Sequence, residues 1–481
     1  MGRPFLSQMQ SRIPRSLLRG RRARWHTVGV PVGLVSVLVP VYGLGVVALF
    51  TSGRVDLGQA ITLLVGPVAA ALAVLRPEWI LLVVVLLPPS LMGAVPPTQM
   101  IAIVLITLFG FLLHGRLHLG PRTGIYPLVG IIALAIVMKA DTPAEATVAA
   151  DTLLLHLVYY ALLMLAAFQA TANERLRVDS FVDALLWGVV GAVIFQPFLV
   201  GLGFEGIGRH PYAGAFANLA VIGFGVAYVR SSLGPSIGRR RSVWDGLLIV
   251  AFLGLTIVGY NRAAFIAALL SLALVSIWTG RKSIWIVASL VVALGLTIPA
   301  IGEAIAPGGS IDITDQQTLE QVTSGRSVLW EDLWERGVEA MPFGNGWGYV
   351  WNLTSIDIFG VEGEFTTGDQ GLIYPHNDFL FLFVELGVIG LGFLVVFWFQ
   401  LLRRFRFLSR ASDGFVRYDA RILAPILVLM FLVQVFANGL SVRFVAERFF
   451  IAAGLICGMH YVMHQAQFSG DAFRRSARSS R

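Results

Sequence analysis

The stretch YPHNDFLFLFVELGVIGLGFLVVFWFQLL, residues 374–402, decides the class of this protein. Its polar head, Tyr374-Pro375-His376-Asn377-Asp378, closes a long hydrophilic loop. From Phe379 to Leu402 the chain is apolar for longer than the roughly 20 residues a helix needs to cross a bilayer. A histidine beside Asn and Asp at a water–lipid boundary can take or give a proton. It also stands where a lipid-linked substrate would present its reactive end.

The whole chain agrees with this run. Of 481 residues, 56% are hydrophobic and only 13% charged, with a mean hydropathy of +0.77. Soluble domains carry about 25% charged residues, so this is a membrane protein. Apolar runs that can span lie at 28–50, 58–75, 79–95, 99–114, 124–140, 152–170, 180–203, 212–229, 243–260, 263–279, 283–301, 378–402, 421–438 and 448–464. The second to fourth are short, and Pro88-Pro89 breaks the third. If the second and third form a re-entrant hairpin, parity is unchanged. The expected fold is an all-α polytopic membrane protein with about 12–14 transmembrane helices.

Orientation follows from the arginines, which accumulate on the cytoplasmic side. With the N-terminus inside, 28 of the 36 basic residues fall inside and eight outside. The clusters are seven arginines before Trp25, Arg76, Arg116 with Arg122, Arg175 with Arg177, and Arg230 with Arg239 to Arg241. Arg281-Lys282, six arginines from Arg403 to Arg421 and four in the tail complete the set. Both termini are then cytoplasmic. The expected divisions are a basic N-terminus, 1–27, and N-terminal membrane helices, 28–301. An extracytoplasmic loop, 302–377, three C-terminal membrane helices, 378–464, and a basic tail, 465–481, follow.

The net charge of +8 does not point to nucleic acid, because the positives are spread over topogenic loops instead of forming one stripe. The arginine-rich start leads into an apolar run too long for a signal peptide and without a small-residue cleavage site, so it reads as a retained first span. Cys457 is the sole cysteine, which excludes disulfides and thiolate metal sites. No phosphate loop, zinc-ligand spacing or Gly-x-Ser-x-Gly elbow occurs, and no cofactor or metal is expected. Energy for synthesis outside the cytoplasm must arrive with an activated donor.

The loop from Gly302 to His376 is too long for a simple connector and too rich in tryptophan for a disordered one. Within it, Ser327 to Met341 has helical periodicity, with Val328, Leu329, Leu333 and Met341 on one face and Asp332 and Glu335 on the other. Pro342 stops it, and Phe343-Gly344-Asn345-Gly346-Trp347-Gly348 is a tight glycine-rich turn.

The loop holds twelve acids and two arginines. Arg336 has Asp332 and Glu339 at helical spacing as surface partners. Arg326 opens the predicted helix, where a cation opposes the helix dipole, and a guanidinium beside a helix N-terminus suits phosphate oxygens. The plainer alternative is a salt bridge to one of the twelve acids. Arg262, next to Asn261 where two spans meet, is an ionisable group at membrane depth and so a functional candidate; otherwise it marks a short turn by snorkelling. Arg209 lies on the same side and can extend a cationic site. His376 is the candidate general base. Its alternative is a residue that merely starts the helix, with Asn377 or Asp378 as the N-cap.

Arg262 in Gly-Tyr-Asn-Arg-Ala-Ala-Phe, Gly325-Arg326-Ser327-Val328-Leu329-Trp330, Met341-Pro342-Phe343-Gly344-Asn345-Gly346 and Pro375-His376-Asn377-Asp378-Phe379-Leu380 occur in that order. Glu385-Leu386-Gly387-Val388-Ile389-Gly390-Leu391 follows. This ordered set resembles the O-antigen ligase and O-antigen polymerase superfamily of bacterial membrane glycosyltransferases, over roughly residues 205–400. The resemblance implies an inverting, metal-independent enzyme of the cytoplasmic membrane with its active site outside. Its donor would be an undecaprenyl-diphosphate-linked glycan and its acceptor a glycan or lipid-glycan. By position, Arg262 and Arg326 would hold the diphosphate and His376 would activate the acceptor hydroxyl. Arg209, Asn261, Asn377 and Asp378 are the further candidates for substrate contact. Many relatives have Ser-Arg where this chain has Asn261-Arg262, which removes a hydroxyl but keeps the arginine. Ligases and polymerases share these motifs. The competing class is a transporter or flippase for such a lipid, which would show duplicated halves and broken, charged helices at the midplane.

The orientation predicts that, in intact cells, an impermeant thiol reagent modifies a cysteine introduced at Asp357 and spares one introduced at Ser412. The reverse pattern would overturn the orientation and the site assignments with it.

Overall fold

In hydrocarbon a chain must satisfy its own backbone hydrogen bonds, and the apolar runs among the described residues do so as helices. The structure, a computed structural model, describes residues 66, 69–87, 95–115, 117–141, 143–201, 215–238, 242–258, 262–280, 326–353, 376–436, 440 and 443–479. In chain order the helices are α1 (Pro77–Leu86), α2 (Pro97–His114), α3 (Tyr126–Val137), α4 (Ala144–Ala172), α5 (Val178–Gly201), α6 (Ala215–Leu233) and α7 (Val243–Val258). They continue as α8 (Arg262–Thr279), α9 (Arg326–Glu339), α10 (Tyr349–Asn352), α11 (Asp378–Ser409), α12 (Gly414–Ile422), α13 (Ala424–Phe436) and α14 (Arg443–Ser479). Among the described residues there is no strand, only an isolated bridge between Lys139 and Trp347.

Among the described residues, six stretches are long and apolar enough to cross a membrane: Pro97–His114, Ala146–Ala172, Phe216–Ile237, Asp378–Ser409, Gly414–Phe436 and Arg443–Ala466. Shorter apolar helices cover Pro77–Leu86, Tyr126–Val137, Val243–Thr256 and Ala264–Thr279. The all-α membrane class is as expected. The expected spans 28–50 and 283–301, and most of 58–75, lie outside the described residues.

The expected run 79–95 is shorter as a helix. α1 stops at Leu86, and Leu87 is extended (φ −67°, ψ 135°), as a residue before proline must be. Pro88 and Pro89 have no N–H to return to the helix, so the carbonyl of Val85 lacks its usual donor. Arg448 supplies one. Its Nη2 donates to Val85 O at 2.8 Å and Leu87 O at 3.3 Å, while Nη1 donates to Phe444 O at 2.8 Å. Gly188 of α5 also lies against Val85 O, where a side chain would collide.

α4 and α14 are the central pair. Lipid offers no hydrophobic drive to bring helices together, so close packing of small residues does it. Gly454 and Gly458, one turn apart on α14, lie on α4: a Cβ at 454 would meet Met164 O and Ala167 Cβ, and one at 458 would meet Thr171 Cβ and Phe168 O.

The contacts sort the helix ends into two groups. At one end Tyr461 meets His118 (3.1 Å), Gln169 bonds His118 through both amide atoms, and Arg175 donates to His114 O (2.9 Å). There too Arg404 reaches Cys457 Sγ (2.9 Å), Phe405 packs on Trp278, and Arg421 lies 5.2 Å above the Trp278 ring. This end is rich in arginine. At the other end lie the C-terminus of α3 and the starts of α4, α11 and α14.

Replacing Gly454 by valine should force α4 and α14 apart and cost about 1–3 kcal/mol. The thermal unfolding midpoint of the detergent-solubilised protein should fall; an unchanged midpoint would contradict so close an approach.

Candidate active site

The site begins with the first turn of α11. Asn377 is extended (φ −158°) and its Oδ1 accepts from Leu380 N at 3.0 Å, so of the two candidate caps Asn377 is the N-cap. Asp378 is buried instead. Its Oδ2 accepts from Leu440 N at 2.9 Å, and the carbonyl of the same Leu440 accepts from Tyr160 Oη at 3.0 Å. The connection between α13 and α14 is thereby fastened to the start of α11. Just before the cap, half-buried His376 has φ +51°, the left-handed region that residues with a Cβ seldom occupy. Such a conformation persists where the surroundings fix it, and it gathers at functional sites.

α11 is not continuous. At Gly387 the backbone takes φ 64° and ψ −161°, which breaks the helix nine residues after its start, at a position that admits no side chain. In an unbroken helix Val388 N would donate to Val384 O; here it donates to Pro342 O at 3.1 Å. The carbonyls freed by the break are taken by the loop. Asn345 N donates to Val384 O (2.8 Å), as does Asn345 Nδ2 (3.2 Å), and Gly346 N donates to Glu385 O (2.8 Å). The glycine-rich turn is thus a strap laid into a broken membrane helix.

The strap continues. Trp347 is wholly buried, its N donates to Met138 O (2.6 Å) and its indole Nε1 to Ala150 O (3.0 Å). A Cβ on Gly346 (φ 96°) would press on Met138 O at 2.8 Å, so glycine is needed for this approach. Glu385, fully buried, then takes the amides of Gly348 and Val350, the latter at 2.7 Å, which fixes the short helix α10.

α9 forms with Leu329 and Leu333 buried, as its periodicity predicts, but it ends at Glu339, and Met341, expected on the same face, lies beyond it and is exposed. Arg336 stays with local partners: Nε donates to Asp332 Oδ2 at 2.7 Å and Nη1 to Tyr349 Oη at 3.2 Å. The hydrogen bond to Asp332 raises the guanidinium pKa further, so Arg336 stays charged. Trp334 packs on Phe383 with ring centroids 4.9 Å apart, Gly337 lies against the same ring, and Pro342 reaches Val388. The second half of α9 therefore packs on Phe383 of α11, and the chain beyond its end, past a turn, reaches the break.

Arg262 is the first residue of α8. The far end of α8, at Trp278, packs on Phe405 and beneath Arg421 at the arginine-rich end. The start of α8 therefore points into the half that holds the Gly387 break and His376. Arg209 and Asn261 lie outside the described residues.

Two features were not read from the sequence as part of the site. Glu385 is the single charge in the apolar run from Phe379 to Leu402, which is itself a signal. Arg443, at the start of α14, pairs with buried Glu447 (3.0 Å), donates to Val95 O (2.6 Å) and lies 5.7 Å over the Tyr159 ring. It neighbours the Leu440 tether. Among the described residues no cluster of His, Cys, Asp and Glu could hold a metal ion.

Residues 247–395 match the O-antigen ligase family model. The match runs from α7 through the first part of α11 and takes in Arg262, Arg326, the strap, His376 and Glu385. Over that stretch the chain is similar to the O-antigen ligase family, which supports the resemblance to the O-antigen ligase and polymerase superfamily. No curated protein matches the chain.

Proposed function

We propose that this protein transfers a glycan from a polyprenyl diphosphate, of the undecaprenyl type, to an acceptor hydroxyl outside the cytoplasm. It acts as a surface-polysaccharide polymerase or as a ligase in the cytoplasmic membrane. The match to the O-antigen ligase family supports the class. The observation that carries the reading is the packing of Trp334 and Gly337 on Phe383, which lays the helix that begins with Arg326 against the first half of α11, the half next to His376. The gathering of arginines at the opposite end supports the orientation, since that end suits the cytoplasm.

In this reading Arg326 and Arg262 bind the diphosphate and take up the negative charge that develops on it. Guanidinium groups suit this role because their planar fork meets two phosphate oxygens at once. His376 accepts the proton of the acceptor hydroxyl. The acceptor oxygen attacks the anomeric carbon, the bond from that carbon to the diphosphate oxygen breaks, and the electron pair leaves with the lipid diphosphate. Attack from the opposite face inverts the anomeric centre. With two arginines on the leaving group, the step runs without a metal ion. Asn377 and Asp378 hold His376 in place through the N-cap and the tether to Leu440, and Arg209 and Asn261 border the donor.

Purified protein with a lipid-diphosphate glycan and an acceptor, in the presence of chelator, tests this. Each charge-assisted contact is worth roughly 1.5–3 kcal/mol, so Arg326→Ala and Arg262→Ala should lose nearly all turnover, with Arg326→Lys only a partial rescue. His376→Ala and His376→Gln should still bind donor while transfer falls by about 10²-fold or more. Full turnover of the Gln variant would reduce His376 to a positioning group. Loss of wild-type turnover on chelation would remove the metal-free step. In a deletion strain, single repeat units on the surface would mean a polymerase, and free lipid-linked polymer a ligase.

A further inference from the structure

Glu385 is the charge that the transfer step does not use. It sits in the membrane-spanning run, fully buried, two residues before the break in α11 on which the strap is laid. Its two carboxylate oxygens are divided between two backbone amides, Oε2 to Gly348 and Oε1 to Val350, and its own carbonyl accepts from Gly346. One residue of α11 therefore holds three consecutive points of the loop, at 346, 348 and 350. Tyr349, between the last two, receives Arg336 of α9 at 3.2 Å. A continuous path of bonds thus runs from Glu385 through α10 to α9, the helix that begins with Arg326.

We propose that Glu385 is a positioning residue of the transfer site: by gripping the Gly348–Val350 turn it sets α9 against α11, and hence Arg326 against His376. This rests on the glycosyl-transfer reading above. A carboxylate suits the task because it is acceptor-only and offers two oxygens to two N–H donors. A glutamine of the same shape offers one acceptor oxygen and turns an NH2 group toward the other amide, so it keeps half of the grip. The break at Gly387 is the necessary partner. Without it the carbonyls of Val384 and Glu385 would be occupied within the helix, and the turn would have only the side chain to hold.

A residue that served only to keep the protein folded would lower the fraction of active enzyme, and with it apparent kcat, while leaving both KM values unchanged. A residue that places Arg326 acts on the donor. Glu385→Ala is expected to raise the KM for the lipid-diphosphate donor by about tenfold or more, since small misplacements of binding groups are costly. The acceptor KM should stay as in the wild type. Glu385→Gln keeps the volume of the side chain and should fall between the two. The same variants carry spin labels on cysteines introduced at the exposed positions Val148 on α4 and Glu335 on α9, with the buried Cys457 unlabelled. The inter-label distance distribution should be narrow with Glu385 and broad with Ala. An unchanged donor KM in an active, folded Glu385→Ala enzyme would overturn the proposal. Should the wild type itself show no transfer, the functional reading falls, and an equally narrow distribution in the Ala variant would overturn the grip independently.

Discussion

A helix in hydrocarbon cannot leave carbonyls unpaired, and the break at Gly387 would leave those of Val384 and Glu385 without their helical donors. Each unpaired group costs several kcal/mol in an apolar medium, roughly 2–7 by transfer estimates. The extramembrane loop meets that demand with Asn345 and Gly346, and Val388 N finds Pro342 O in exchange. The membrane helix is complete only with the loop in place, and the loop has one docking position only on the broken helix. Trp347 then drives the same loop between α3 and α4, with its indole bonded to Ala150. The strap therefore joins three membrane helices and carries α9 with it.

The same solution, a side chain standing in for a missing backbone donor, recurs across the bundle. Pro88-Pro89 ends α1, and Arg448 of α14 replaces the lost N–H groups. Asp378 and Tyr160 grip Leu440 from two sides. Charged groups inside a membrane are costly unless bonded, and they occur where the backbone is irregular. Here they tie the irregular points of α1, α11 and the α13–α14 connection to one another. Rigidity at that end suits the proposed reaction, since proximity of binding and proton-transfer groups lowers a barrier only while their geometry is held.

Much of this was legible in the sequence. Most of the described apolar runs between arginine clusters become helices within a few residues of their expected limits, although α1 stops short and α4 and α14 run on, and α9 ends at Glu339, three residues before Pro342. The ordered motifs pointed to the family whose model matches residues 247–395. The docking was not legible. Glycines at 344, 346 and 348 announce a turn but not its partner, because the partner is a helix whose break becomes evident only once Gly387 is seen in the left-handed region. Glu385 bonds residues 35 and 37 positions away, and Trp347 a carbonyl 197 positions away, far beyond any periodic signal. Asp378 looked like a group facing the substrate because of its neighbours, yet its contact with Leu440 depends on a connection 62 residues downstream. Arg443 and Arg448 fall among the eight basic residues expected outside, and their bonds lie within the bundle.

The central claim of the proposed site is that the strap, by holding α9 against α11, brings positions 326 and 376 within reach of one another. Cysteines at Arg326 and His376, with Cys457 buried and inert, allow a direct measurement with a short bismaleimide in native membranes. An intramolecular crosslink between 326 and 376, lost when Glu385 is replaced by alanine, is the predicted result. No crosslink, although each cysteine reacts singly with maleimide, would contradict it.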